Sequence, residues 1–192
     1  MTTRLFLVRH GETEWNREGR WQGWIDIPLN ESGRQQAQDL ALELSQHPIR
    51  AVYSSPLLRA AETARLIATP HACEVFHEHD LKEQTGGSLD GALIGELSSL
   101  LEHAKTLSTS ERIAHKFVED AESGVEVGAR VIPALKRICA NHVGEDVVVV
   151  THGGVMRILL VLLAGRDYHS IQIGNCEVLQ LRGAGDTLHI HN

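Results

Sequence analysis

Three stretches decide the fold: Leu5-Phe6-Leu7-Val8 running into Arg9-His10-Gly11, Ala51-Val52-Tyr53 running into Ser54-Ser55, and Val147-Val148-Val149-Val150 running into Thr151-His152-Gly153-Gly154. Each is a short, nearly unbroken apolar run that stops at polar residues. A strand with one wet face alternates, whereas a run that is apolar at every position needs cover on both faces, so these read as buried strands of a helix-covered sheet. Helical patterns fill the intervals. Behind Asn30, a capping residue, Ala37, Leu40, Ala41 and Leu44 recur at helical spacing. Ser55-Pro56 has the cap-then-proline chemistry of a helix start, ahead of Ala60, Ala64, Leu66 and Ile67. A short strand is expected near 74–76 and a further helix over about 125–141. The end of the chain, 178–181 and 188–190 around Gly183-Ala184-Gly185-Asp186, alternates as a hairpin. The stretch from about 89 to 122 has helical character without β-branched runs and reads as a small insertion. The expectation is an α/β fold: a single domain over 1–192, a mainly parallel sheet flanked by helices on both faces, and a small helical insertion at about 89–122.

Composition narrows the function. The 192 residues are 42% hydrophobic, enough for one core and short for two. The formal charge of −7 and few aromatics argue against a nucleic-acid surface, which needs a basic face to displace counterions. Any anion bound here is held locally. The three cysteines, Cys73, Cys139 and Cys176, lack the paired spacing of a zinc site or a disulfide framework, so a reducing, cytoplasmic setting is expected. No signal-peptide apolar region precedes the first strand, and the longest apolar stretch, 158–164, is too short to span a bilayer. The expected partner is a small phosphorylated metabolite, with no nucleic acid and no membrane; a homodimer is compatible with this reading.

In open parallel sheets ligands sit beyond the carboxyl ends of the strands, where His10, Ser54 and His152 would project. A lone strand-end histidine is usually a backbone-satisfied one. His10, however, follows Arg9, and imidazole attacks phosphorus when neutral; nearby arginines both hold a phosphate and oppose protonation of the ring. Gly11 lets the backbone approach a ligand closely, and the amides after it could donate to phosphate oxygens. The His77/His79 and His189/His191 pairs have a spacing that on a strand marks one exposed face, and no metal site is expected from them.

The run Leu7-Val8-Arg9-His10-Gly11-Glu12-Thr13-Glu14-Trp15-Asn16 resembles the signature of the histidine phosphatase superfamily, with its phosphoglycerate-mutase-like fold. Four more segments resemble that family's motifs in the same order. Gln22-Gly23 with 26–30 and Gly33 is similar to the loop and helix start after the signature. The run from Ser54 to Ala64 is similar to the second motif, whose phosphate-binding arginine would be Arg59. Leu81-Lys82-Glu83 is similar to the proton-donor segment, with Glu83 as the donor. Thr151-His152-Gly153-Gly154 is similar to the last motif, and Asn175-Cys176 to a further position. The resemblance implies a metal-independent, cofactor-free enzyme. His10 takes the phosphoryl group as a phosphohistidine, Arg9, Arg59 and a protonated His152 steady it, and Glu83 gives a proton to the leaving group and then activates water. Asn16, Gln22, Gly23 and Gly153 would contact substrate.

The chain departs from the pattern at Leu89-Asp90-Gly91 and at Gly86, beside the pocket, and at Ala121-Glu122-Ser123 followed by Arg130, where only a structural consequence is expected. Glu78, Asp80 and Asp90 are rival proton donors on sequence alone. The family's true mutases grip a second anionic group with basic residues in a longer insertion, whereas this one offers Lys105, Arg112 and Lys116 and no adjacent arginine pair. Hydrolysis of a small phosphate monoester is therefore the expected reaction. The alternatives are a cofactor-dependent phosphoglycerate mutase and a silent phosphate-binding module.

Overall fold

The computed structural model describes residues 1–191. Six strands, β1 (Thr3–Arg9), β2 (Ile49–Ser54), β3 (Val75–His77), β4 (Asp146–Thr151), β5 (Val178–Ala184) and β6 (Thr187–His191), form one sheet in the order β3-β2-β4-β1-β5-β6. β3, β2, β4 and β1 run parallel, and the β5–β6 hairpin closes the sheet antiparallel against β1. Seven α-helices accompany them: α1 (Glu14–Glu18), α2 (Glu31–Leu44), α3 (Leu58–Ala68), α4 (Ser98–Thr106), α5 (Thr109–Ala114), α6 (Gly124–Asn141) and α7 (Gly153–Ala164).

The unbroken apolar runs divide by parity. Leu5, Leu7, Val147 and Val149 face α6 and α7, packing on Val131, Leu135, Val155 and Leu159. Phe6, Val8, Val148 and Val150 face α2 and α3, packing on Leu40, Leu44, Ala60 and Ile67. Successive strand residues point to opposite faces, so only a strand buried on both sides has this composition. The fold is the α/β class expected, with a mainly parallel sheet between two helical layers.

Asn30 caps α2, accepting from the Gly33 amide at 2.8 Å. The Ser55-Pro56 helix start is corrected: α3 begins at Leu58, and its first amide donates to Asp26 Oδ1 at 2.6 Å. The Ser55 hydroxyl accepts from the Leu57 amide, one residue short of the helix, and also meets His152 Nε2 at 2.8 Å, so the first helical amide is capped from a distant loop. Ser54 does not project into a cavity either; it is buried and its hydroxyl donates to the Ser55 carbonyl. In the 89–122 stretch the helical part is confined to residues 94–114, a 3-10 turn followed by α4 and α5. Among the described residues no helix is long and apolar enough to cross a membrane.

Candidate active site

The carboxyl ends of β1 and β4 lie side by side, with Arg9 opposite Thr151, so the residues that follow each strand meet. There a cavity of about 300 Å3 is lined by Arg9, His10, Asn16, Gln22, Gly23, Arg59, Glu83, Gly153 and Gly154, together with Arg20, Trp21, Arg112, Arg157 and Tyr168. Every expected site residue except His152 lines it. His152 lies behind the wall, fully buried, with its ring edge-on to that of His10 at 5.2 Å between centroids.

His10 is 2% exposed. Its Nδ1 is 2.7 Å from the Gly11 carbonyl, an oxygen that only accepts, so Nδ1 carries the proton and Nε2 keeps its lone pair. Burial, then the charges of Arg59 and Arg9, push its pKa well below the usual histidine range. The same causes, burial first and Arg59 next, lower His152. This favours the neutral form of the His152 ring. An NMR titration should place both imidazole midpoints below 6.5, and a midpoint at or above that value for His10 would contradict this electrostatic picture. The linkage has a definite sign: with folded values depressed, the unfolded chain binds more protons below pH 6.5, so stability present above 6.5 is lost on acidification.

The arginines are held from behind. Arg59, fully buried on α3, donates Nη2 to the Gly23 carbonyl at 2.8 Å and Nη1 to that of Ile25 at 2.9 Å. Burial lowers its pKa to about 10, which still leaves it charged at neutrality. Arg9 donates Nη1 to the Ile173 carbonyl at 2.6 Å. The Nε atoms of both arginines and Nδ1 of His152 are buried without a protein partner. Buried donors are normally satisfied, so the two arginine Nε groups stand out as unmatched donors beside His10.

Glu83 is the one carboxylate among the described residues that line the cavity. Its Oε1 accepts from the Gln84 amide at 2.8 Å and its Oε2 from the Gly154 amide, in the first turn of α7, at 3.2 Å. The rival acids are engaged elsewhere: Glu78 and Asp80 pair with Arg137, and Asp90 accepts from the Trp24 and Gly86 amides and from Thr85 Oγ1. A Cβ at Gly154 would stand 2.5 Å from Glu83 Oε1. Gly154→Ala should therefore displace the carboxylate and lower kcat/KM for an alkyl phosphate about 100-fold, the scale of an ångström-sized misplacement. A variant with unchanged kcat/KM would show that the position of Glu83 does not matter.

Two expectations are corrected. The amides after His10 do not face the cavity as free donors: those of Gly11, Glu12 and Thr13 go to Thr63 Oγ1, Gln36 Oε1 and Asn16 Oδ1. What Gly11 permits is contact with Gly33, whose carbonyl would lie 2.4 Å from an added Cβ. Asn16 and Gln22 line the cavity as expected, each with its amide oxygen accepting from Thr13 Oγ1. Gly23, at φ +48°, has the carboxylate of Asp90 where a side chain would go. Asn175 braces His10, donating to its carbonyl at 3.0 Å.

Arg130, which follows Ala121-Glu122-Ser123, is tied to the segment that carries Glu83. It donates to the carbonyls of Asp80, Lys82 and Glu83 and forms a two-bond pair with Glu122. Glu122 itself accepts from the Thr85 amide through its side chain and from Gln84 Nε2 through its carbonyl. Trp24 Nε1 adds a bond to the Glu83 carbonyl at 2.7 Å.

The model described as "Histidine phosphatase superfamily (branch 1)" matches residues 5–192. The chain belongs to the histidine phosphatase superfamily. This superfamily member is 43% identical over 158 residues to the metal-independent phosphoserine phosphatase of Arabidopsis thaliana, covering 81% of this chain and 66% of that protein. The chain thus spans about two thirds of its plant relative. It is 35% identical over 175 residues to phosphoserine phosphatase 1 of Hydrogenobacter thermophilus, covering 91% and 82%. Among solved structures, a phosphoserine phosphatase mutant of Entamoeba histolytica in complex with phosphoserine superposes with a TM-score of 0.84 at 29% identity, covering 99% of this chain and 95% of that one. This histidine phosphatase is accordingly a hydrolase of small phosphate monoesters.

Proposed function

We propose that the chain hydrolyses its monoester through a phosphohistidine on His10, with Arg9, Arg59 and His152 around the phosphoryl group and Glu83 handling the proton. Nε2 of His10 forms a bond to phosphorus as the ester P–O bond breaks, and the departing oxygen takes the proton of the Glu83 carboxyl. Glu83, now a carboxylate, accepts a proton from the water that attacks phosphorus, which restores His10 and releases inorganic phosphate. The observation that carries this reading is the Nδ1 contact to the Gly11 carbonyl, which holds the ring in the nucleophilic tautomer. The α7 N-terminus at Gly153 and the buried arginines supply fixed positive potential where the phosphoryl charge spreads, so no step calls on a metal. Relatives named for phosphoserine make that ester the first to try.

The test is phosphate release from phosphoserine and from 3-phosphoglycerate with EDTA present, with acid-stopped samples analysed for acid-labile phosphate on the protein. Turnover with a trapped phosphoenzyme supports the reading. Conversion of 3-phosphoglycerate to 2-phosphoglycerate without release would replace it with a mutase, and turnover abolished by EDTA would remove the metal-free route.

A further inference from the structure

Ser55 and His152 each follow one of two neighbouring strands. β2 and β4 pair in parallel with Ser54 opposite Val150, and the Ser55 amide donates to the Val150 carbonyl at 3.0 Å, so the residues just beyond the two strand ends meet. Both side chains are fully buried. Among the described residues the Ser55 hydroxyl oxygen meets two groups: the Leu57 amide at 3.3 Å, which can only donate, and His152 Nε2 at 2.8 Å. His152 Nδ1 is buried without a protein partner.

A neutral imidazole carries one N–H. With the hydrogen on Nε2, the ring donates to Ser55, and two buried groups are left over: the serine hydroxyl hydrogen and the Nδ1 lone pair. With the hydrogen on Nδ1, the serine donates to Nε2, and only Nδ1–H is left over. Buried polar groups are normally paired, so the second arrangement is favoured, and its one surplus is a donor. A donor is what a phosphate oxygen requires.

We propose that Ser55 is a positioning residue that fixes His152 in the Nδ1–H tautomer, so that the neutral ring meets the phosphoryl group as a hydrogen-bond donor. The inference rests on the phosphohistidine reading and adds to it the nitrogen that His152 uses and the residue that selects it. Nε2 is occupied by Ser55, which leaves Nδ1 as the ring nitrogen for phosphate. His10 and His152 then hold the same tautomer for opposite purposes. The Gly11 carbonyl accepts from Nδ1 of His10 and bares Nε2 as the nucleophile, whereas the Ser55 hydroxyl donates to Nε2 of His152 and leaves its N–H for the ligand. No imidazolium is needed, in keeping with the lowering of the His152 pKa by burial and by Arg59. A donor fixed in advance costs no reorganisation as charge grows on the phosphoryl oxygens.

The experiment reads the ring nitrogens of His152 by heteronuclear NMR on histidine-labelled protein at neutral pH, with His152→Gln to assign the signals. It is run on wild type, Ser55→Ala and Ser55→Thr, each also assayed for kcat/KM with p-nitrophenyl phosphate. Wild type should show Nδ1 protonated and Nε2 bare, and inorganic phosphate should shift the Nδ1–H signal. Ser55→Ala removes the proton that selects the tautomer, so the ratio of the two forms should move toward Nε2–H by about tenfold, the scale of one buried hydrogen bond. Its kcat/KM should fall in proportion to the share of rings that lose Nδ1–H, because only the remaining share is competent. Ser55→Thr keeps the hydroxyl and should keep the wild-type tautomer. A fall in rate with the tautomer unchanged would make Ser55 a support for the start of α3 and overturn the proposal. Nε2–H in wild type would overturn it as well, and that result needs no variant to fold. A changed tautomer with an unchanged rate would remove the donor role. No hydrolysis of any ester by wild type would sink the phosphatase reading and the donor role with it, and the wild-type spectrum tells that failure apart from a wrong tautomer.

Discussion

His10→Ala should end phosphate release while leaving the protein folded. The side chain makes one hydrogen bond, to the carbonyl of the next residue, and Ala fits where the ring stood, so little of the fold depends on it. What is lost is the atom proposed to form the covalent intermediate. Nucleophile deletions in enzymes of this kind typically cost about 10^4-fold or more, the remainder being what fixed charges achieve with water alone. Arg9, Arg59 and His152 are still in place, so the variant should bind inorganic phosphate and unfold at the wild-type temperature. Steady-state phosphate release, calorimetric phosphate binding and a thermal melt read these three quantities. A folded, phosphate-binding variant with turnover within tenfold of wild type would mean that water, not His10, attacks phosphorus.

Glu83→Gln separates the two half-reactions. Glutamine keeps the size of the side chain and one acceptor oxygen, enough for the shorter bond from the Gln84 amide but not for the Gly154 amide as well, and it has no proton to give or accept as an acid and base. With p-nitrophenyl phosphate the leaving group departs without a proton, so phosphorylation of His10 should stay fast. Dephosphorylation needs a base and should slow by about 100- to 1,000-fold. A stopped-flow trace should therefore show a burst of one nitrophenolate per active site and then a slow steady rate. With phosphoserine, whose alkoxide is a poor leaving group, both steps slow and no burst forms. If the first turnover of p-nitrophenyl phosphate slowed as much as the later ones, Glu83 would be acting on the site's geometry rather than on the proton.

The sheet was legible because residues 5–8 of β1 and 147–150 of β4 are apolar without a break, a pattern that a strand covered on both faces requires. The ends of the strands pointed to His10 and His152, while Arg59 and Glu83 were legible only through the resemblance of their segments to the family's motifs. Where the reading failed, a local signal had been taken by a distant partner. Ser55 looks like a cap, yet its hydroxyl serves His152 and Asp26 caps α3 from thirty-two positions away. The amides of 11–13 look available until Thr63, Gln36 and Asn16 fold onto them. Arg157 was overlooked inside an apolar helix, though a signal existed: it is the one charged residue of α7, and it lies four positions after Gly153 on the face that lines the cavity. That Arg112 lies near it had no such signal, because the two guanidiniums are brought onto the same ring, Tyr168, only by the fold.

The bonds from Arg130 and Glu122 have a mechanical meaning. Glu122 ends the stretch that carries α4, α5 and Arg112 over the cavity, and Arg130 ties it to the backbone of 80–83. The backbone that carries Glu83 and the end of that stretch are thereby joined through one ion pair, with α6 as its mount, so an outward displacement of the wall near Glu122 would either break the pair or draw the backbone of 80–83 with it.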